Sequence, residues 1–532
     1  MRTVREAAFD ELRRHGITTL FGNPGSTEVG LLTDLPDDLD FVLALHEGSV
    51  VGAATGWAVV RDAPALAVLH TTAGLGNAVG ALATARVNRA PLVVLVGQQD
   101  RRHLAQEPFL TGRLDSLAGD YPVSVETPSR AQDVPGAIGR AAHTARTARG
   151  PALVIVPMND WLEPADDLPV PAPAALRHAT AASPGAVQEV ADLLAAAGAP
   201  ALVVGAGADN ADTWSALVGL AERLGCPVWQ ESFGARAGFP QDHALFAGHL
   251  PADRTRLRAT LAPYDLVLAI GAPVLRQYAY EEGPLVPAGT RLALVTDDPA
   301  EAHRAPVELA VLAPLADFCV QLTARTPARA TTPVLPPKRP RPEPPAAGES
   351  LRAAHVLAAL AERLPVDTVV VEETPSNRPD LHALLPARAP LGFLSAAMGG
   401  LGFAVPAAIG VRMAEPRRPV VAVVGDGSSL YQVQALWTAA HYGVGAVFVV
   451  LTNGRYAIMD RLAEKQGGKA PWPAFEDISI SGLATALGCP ATRVTGHAQL
   501  LDTLDALTPT LATRTAPLLL DVVVEADRTF EP

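Results

Sequence analysis

Along the chain, short runs of apolar residues alternate with longer stretches in which apolar residues recur at helical spacing. The runs at 65–69, 419–424 and 446–451 are rich in valine, leucine and alanine and free of polar side chains, and those at 17–21 and 40–45 are mainly apolar, broken by Thr18, Thr19 and Asp40. Such runs predict strands buried on both faces of a parallel sheet. Their alternation with helical stretches predicts βαβ units and an α/β fold. Two proline-rich segments interrupt the pattern. One spans 164–184 and includes Pro169, Pro171 and Pro173; the other holds Pro327, Pro333, Pro336, Pro337, Pro340, Pro342, Pro344 and Pro345. Prolines at that density exclude helix interiors and central strands. Three parallel-sheet α/β domains are therefore predicted, at 1–165, 183–325 and 350–532, with 326–349 as a proline-rich linker.

Composition narrows the function. With 532 residues, 49% of them hydrophobic and 18% charged, the chain has material for several cores and no signature of disorder. Lys plus Arg total 42 against 55 for Asp plus Glu, a net charge of −13. That balance opposes the attraction that nucleic acid and anionic membranes need, so neither is expected as a partner. The cysteines Cys226, Cys319 and Cys489 lie far apart and predict no disulfide framework or zinc pair. The first dozen residues read as an amphipathic helix rather than a signal peptide, and no apolar run approaches the roughly 20 residues of a membrane span. A cytoplasmic location is expected.

Three loops of the first domain follow three predicted strands: Gly22-Asn-Pro-Gly-Ser26, the segment beginning His46-Glu47, and His70-Thr-Thr-Ala-Gly74. In open parallel sheets ligands bind at the carboxyl ends of strands, so Ser26, Glu47 and His70 are candidates for one site. In the third domain the run at 419–424 enters Gly425-Asp-Gly-Ser428, and the next strand ends at Thr452-Asn453-Gly454. Asp426 and Asn453 are 27 positions apart, the length of one strand, helix and strand unit, which places both at the same sheet edge. A lone Gly-Asp-Gly is ordinarily a turn. Here a carboxylate and an amide oxygen beside glycines and a helix start suit a hard cation and a diphosphate.

These strings resemble the thiamine diphosphate-dependent enzymes of the pyruvate decarboxylase and acetolactate synthase superfamily, and within it the benzoylformate decarboxylases. The resemblance runs through Phe21-Gly-Asn-Pro-Gly-Ser26, Gly97-Gln-Gln99, Ile270-Gly-Ala-Pro-Val274, Gly399-Gly-Leu-Gly-Phe-Ala-Val-Pro-Ala-Ala-Ile-Gly410, Gly425-Asp-Gly-Ser428, Asn453 and Ala435-Leu-Trp-Thr-Ala-Ala440. It spans essentially the whole chain and implies the order pyrimidine-binding, middle and diphosphate-binding domain. It implies a decarboxylase of an aryl or apolar 2-oxo acid, using thiamine diphosphate and Mg²⁺, or Ca²⁺ in its place. Glu47 would contact the pyrimidine ring, Leu401 would hold the cofactor bent, and the Gly399 carbonyl would accept from its amino group. Asp426, Asn453 and the Arg455 carbonyl would bind the metal. Gly425, Gly427, Ser428, Tyr456, Thr374 and Ser376 would line the diphosphate end. Ser26 and His70 would serve the substrate carboxylate or proton transfer, in a pocket lined by Phe109, Leu110, Met459 and Leu462. A homodimer or homotetramer with the site at a subunit interface is implied as well.

Two departures stand out. Tyr278 occupies the place of a second active-site histidine, and a phenol with a reference pKa of about 10 is a poorer proton carrier near neutrality. A carboligase or lyase handling 2-hydroxy ketones is therefore the leading rival, and a non-catalytic binding or regulatory subunit a further one. Thr452 replaces the asparagine usual before Asn453, a change expected to be tolerated. In the middle domain, Val203-Val-Gly205-Ala-Gly207-Ala-Asp209 is a partial dinucleotide pattern lacking its third glycine, since Asn210 follows, and bound FAD is not expected. His243 and His249 lack the spacing of a helical zinc pair.

Overall fold

A computed structural model describes residues 2–167, 170, 171, 174, 177–330, 333–346 and 348–526. Pro169 and Pro173 of the first proline-rich segment and positions 331, 332 and 347 of the linker lie outside them. Residues 327–330 and 333–346 carry neither helix nor strand, as proline density dictates.

The strands form three six-stranded sheets, and each pair with a determined register is parallel. Numbered within each sheet, the first and third share the order 2-1-3-4-6-5, and the middle sheet runs 6-5-4-1-2-3. The α/β expectation is met throughout. The central strands Leu92–Gln98 and Pro151–Pro157 are buried at every position, which is why their sequences show no alternation. Pro151 opens its strand, a position that needs no ladder donor.

The chain divides into two compact units. One comprises Met1–Ala175, Val371–Ser376 and Ala396–Pro532; the other comprises Leu176–Val370 and Asn377–Ser395. Within the first unit, helix Glu47–Arg61 crosses helix Ala404–Ala414 at backbone contact. A Cβ at Gly56 would stand 2.2 Å from the Ala407 carbonyl oxygen, and one at Gly52 would stand 2.7 Å from Pro406. Neither helix shows a polar stripe, because both are enclosed on nearly all sides. Within the second unit, apolar clusters cover both faces of the middle sheet, one around Phe239 and Phe318, the other around Leu257 and Leu294. No helix of the described residues is long and apolar enough to cross a membrane.

Candidate active site

In a sheet of order 2-1-3, the chain reverses direction of winding between strands 1 and 3, and the crevice beyond their carboxyl ends is where ligands bind. In the first sheet those strands are Thr19–Asn23 and Ala65–His70, so the last residues Asn23 and His70 stand at the crevice. Glu47 opens the helix that follows strand 2, capped by the His46 ring, which accepts the Gly48 N–H at 3.0 Å. Glu47 is only 8% exposed. A carboxylate so buried requires donors. Oε1 accepts from Asn23 Nδ2 and Oε2 from Asn77 Nδ2, each at 3.0 Å. Sequence reasoning assigned neither amide. Asn77 is the one amide side chain in helix Thr71–Val87, whose other residues are small or apolar apart from Arg86 in the last turn, and that contrast is the signal available.

The half-buried His70 ring turns Nδ1 toward Thr27 Oγ1 at 2.8 Å and Glu28 Oε2 at 3.0 Å. Ser26, one residue before this pair, is exposed. Phe109 and Leu110 are exposed on the loop after strand Leu92–Gln98. Gln98 ties that loop back, donating to the Gly112 carbonyl at 2.6 Å and accepting its N–H at 3.1 Å.

In the third sheet, strands Val420–Gly425 and Val447–Thr452 are neighbours, with Gly425 opposite Leu451. The register brings Asp426 and Asn453 together. Asp426 is 4% exposed; Oδ2 accepts the N–H groups of Asn453 at 2.8 Å and Gly454 at 2.6 Å, and Oδ1 that of Gly427 at 2.8 Å. Burial pushes this carboxyl up, and the three N–H groups pull it back. Asn453 Oδ1 accepts from the Arg455 N–H at 3.1 Å. Among the described residues no group of three or more His, Cys, Asp or Glu is placed to hold a metal. The oxygen donors brought together here are instead a carboxylate with a remaining lone pair on Oδ1 and the Asn453 amide oxygen, which fit a hard divalent cation.

Tyr456 packs edge-on against Phe475 and over Gly427, where a Cβ would meet the tyrosine ring at 2.5 Å. Ser428 is buried at the start of the helical turn. Thr374 spends both its N–H and its hydroxyl on Glu372 Oε1, at 2.6 and 2.9 Å, whereas Ser376 Oγ accepts the Ile458 N–H at 3.0 Å and keeps its own proton available. Glu373, which sequence reasoning passed over, accepts the N–H groups of Gly402, Phe403 and Ala404 at 2.6 to 2.7 Å. Burial pushes its carboxyl up to about 7 against those three bonds. It thereby fixes the loop bearing Gly399, at φ +74°, and Leu401. Leu401 and Met459 are exposed and Leu462 is half-buried. Thr452, the replacement, donates its hydroxyl to the buried Asp521 at 2.7 Å. Tyr278 belongs to the other compact unit, where it is 74% exposed and its N–H bonds the Ala252 carbonyl at 3.0 Å.

One sheet edge thus carries a carboxylate clasped by two amides, and another an oxygen-rich cradle beside glycines that suits an anionic group held through a cation. The chain matches the thiamine pyrophosphate enzyme family in three parts: the N-terminal TPP binding domain over residues 2–118, the central domain over 187–322 and the C-terminal TPP binding domain over 377–522. It is 39% identical to benzoylformate decarboxylase of Pseudomonas aeruginosa over 479 residues, covering 86% of this chain and 87% of that one. It is 29% identical to an acetolactate synthase large subunit of Parasynechococcus marenigrum, over 95% of this chain and 86% of the other. Among solved structures, the thiamine diphosphate-dependent 4-hydroxybenzoylformate decarboxylase of Rhodococcus jostii superposes with a TM-score of 0.92 at 35% identity, over 99% of this chain and 100% of that one. The chain belongs to the thiamine pyrophosphate enzyme family. It is a thiamine diphosphate-dependent enzyme, benzoylformate decarboxylase-like in sequence.

Proposed function

We propose that the protein is a non-oxidative decarboxylase of an aryl or apolar 2-oxo acid. The observation that carries this reading is the 39% identity to a benzoylformate decarboxylase together with retention of Glu47 in a two-amide clasp. The domain limits 1–165, 183–325 and 350–532 belong to the same proposal, as do Mg²⁺ as the metal, a homodimer or tetramer, and a cytoplasmic setting consistent with three buried free thiols.

Thiamine diphosphate, when bound, supplies the electron sink that lets a 2-oxo acid lose CO₂. Glu47 would hold the pyrimidine end, its two amide donors keeping the carboxylate turned outward from the helix start. Asp426 and Asn453 with the Arg455 carbonyl would hold Mg²⁺, and Ser428 and Ser376 would donate to phosphate oxygens beside the N–H groups around Gly427. Leu401, braced by Glu373, would set the shape of the cofactor site. Ser26 and His70 would bind the substrate carboxylate, and His70 would move protons at a ring nitrogen. Phe109, Leu110, Met459 and Leu462 would exclude water from an apolar pocket.

A carboligase or lyase reading is favoured by one feature: Tyr278 in place of a second histidine, in a chain that also aligns with acetolactate synthases. Proton NMR of products from the chain with thiamine diphosphate, Mg²⁺, benzoylformate and acetaldehyde separates the readings. Free benzaldehyde supports the decarboxylase, and a hydroxy ketone as main product supports the carboligase. No turnover of any aryl or branched 2-oxo acid would remove the first reading.

A further inference from the structure

We propose that Glu28 is the positioning residue of His70: a buried carboxylate that, with Thr27, fixes which ring nitrogen is presented for proton transfer. The proposal rests on the role given to His70 above.

The grip is built from beneath the sheet edge. Glu28 and Thr27 are 2% and 0% exposed, deeper than the ring they hold. Glu28 Oε2 lies 3.0 Å from His70 Nδ1 and also accepts the Gly25 N–H at 2.8 Å. Glu28 Oε1 accepts the Thr27 hydroxyl, and Thr27 Oγ1 lies 2.8 Å from the same Nδ1. The proton of Thr27 is thus committed to Glu28, and both oxygens near Nδ1 offer only lone pairs. Such surroundings require a proton on Nδ1. The neutral ring then keeps Nε2 as its acceptor, and when Nε2 takes a proton the positive ring lies against the Glu28 carboxylate.

Three further features show that this placement is enforced. His70 stands in register with Gly97 on the adjacent strand. A Cβ at Gly97 would fall 1.7 Å from Glu28 Oε1 and 2.3 Å from Thr27 Oγ1, so the missing side chain is the space the pair occupies. A Cβ at Gly25 would fall 2.4 Å from the His70 ring, which lies directly on that backbone. Thr71, the next residue, is buried at φ +35°, a left-handed conformation that β-branched residues avoid. Strain of this kind persists only where the surrounding structure over-determines it. Here it flanks the ring that the carboxylate orients.

The test uses the full chain with thiamine diphosphate and Mg²⁺, and benzoylformate as substrate. Glu28→Gln keeps shape and volume but removes the charge. Its kcat is expected to fall about 10-fold or more, in the range that loss of an orienting partner produces, with KM and cofactor affinity little changed. Thr27→Val should lower kcat in the same sense and less. In the His70→Ala background, Glu28→Gln should add no further loss. Parent kcat in Glu28→Gln alongside a crippled His70→Ala overturns the positioning role, as do additive losses in the double variant. If Glu28→Gln does not fold, the Thr27→Val kcat decides by the same criterion. Parent activity in His70→Ala instead removes the role of His70 and this proposal with it, and is recognised because it appears without touching Glu28.

Discussion

Asn77 donates its side-chain amide to Glu47 Oε2 at 3.0 Å, holding the carboxylate from the helix that begins one residue after His70. A hydrogen bond to a charged, buried acceptor is worth about 1.5–3 kcal/mol. Asn77→Ala removes it, leaving the carboxylate free to rotate about the single bond still made by Asn23. The expected result is a fall in kcat of roughly 10-fold or more, since about 1.4 kcal/mol corresponds to a factor of ten. Steady-state kinetics on an aryl 2-oxo acid checks it. Unchanged turnover would mean that Asn23 alone suffices.

The helix that Glu47 opens is seated by small residues. The position for a Cβ on Gly410 lies 1.8 Å from the Ala53 carbonyl oxygen, a backbone atom that no rotamer change can move. Gly410→Ala therefore forces the two helices apart. Overpacking typically costs about 1–3 kcal/mol, and a backbone clash belongs at the upper end. Thermal unfolding should show a lowered midpoint. Gly76→Ala, inside a helix with nothing within 4 Å of the new carbon, is the control expected to leave the midpoint undiminished and to raise it slightly through helix propensity.

Legibility in the sequence followed the range of the interactions. The parallel sheets were readable because runs such as 446–451 and 419–424 are apolar on both faces and too short for a buried helix, which leaves a strand covered on both sides. Asp426 and Asn453 were readable as a pair because one βαβ unit joins them, so local geometry fixes their proximity. The supporting shell was not readable. Asn77 reaches Glu47 across 30 positions, Glu28 reaches His70 across 42, and Glu373 reaches Gly402 across 29. Each depends on a tertiary meeting that periodicity cannot announce. Gly97 is the clearest case: its string marked the family, but its physical purpose, room for a carboxylate, exists only once the strands are paired.

Asp426 offers a test of the metal reading that does not depend on turnover alone. With thiamine diphosphate present, Mg²⁺ should raise the unfolding midpoint, because a ligand bound only by the folded chain at 100 times its Kd adds about 2.7 kcal/mol. Chelation by EDTA should reverse that gain and abolish activity, and Mg²⁺ or Ca²⁺ should restore both. Asp426→Asn removes the one carboxylate in the donor set, so the Mg²⁺-dependent gain should disappear at the same concentration. An undiminished gain in that variant would place the cation elsewhere.

In the second compact unit, Glu231 stands at the end of strand Val228–Gln230, packed against Gly205 and Gly234, with Oε2 lacking any hydrogen-bond partner. Burial pushes its carboxyl from 4.5 up to about 8; Arg276 pulls it down and Glu301 pushes it further up. Between those two values the folded chain keeps a proton that the unfolded chain has released. The folded state binds more protons, so this group's contribution to stability is greatest below about pH 4.5, declines as pH rises towards 8 and then levels off. The slope approaches about 1.4 kcal/mol per pH unit, or on the order of 2 kcal/mol between pH 5 and 7. Glu231→Gln cannot ionise and should lose that decline, so its urea midpoint at pH 7 should rise relative to the parent while the two remain close at pH 4.5. Other groups contribute equally to both proteins and cancel in the difference. A parallel decline in parent and variant would show that the carboxyl already ionises in the folded chain at neutral pH, with water or Arg276 compensating its charge.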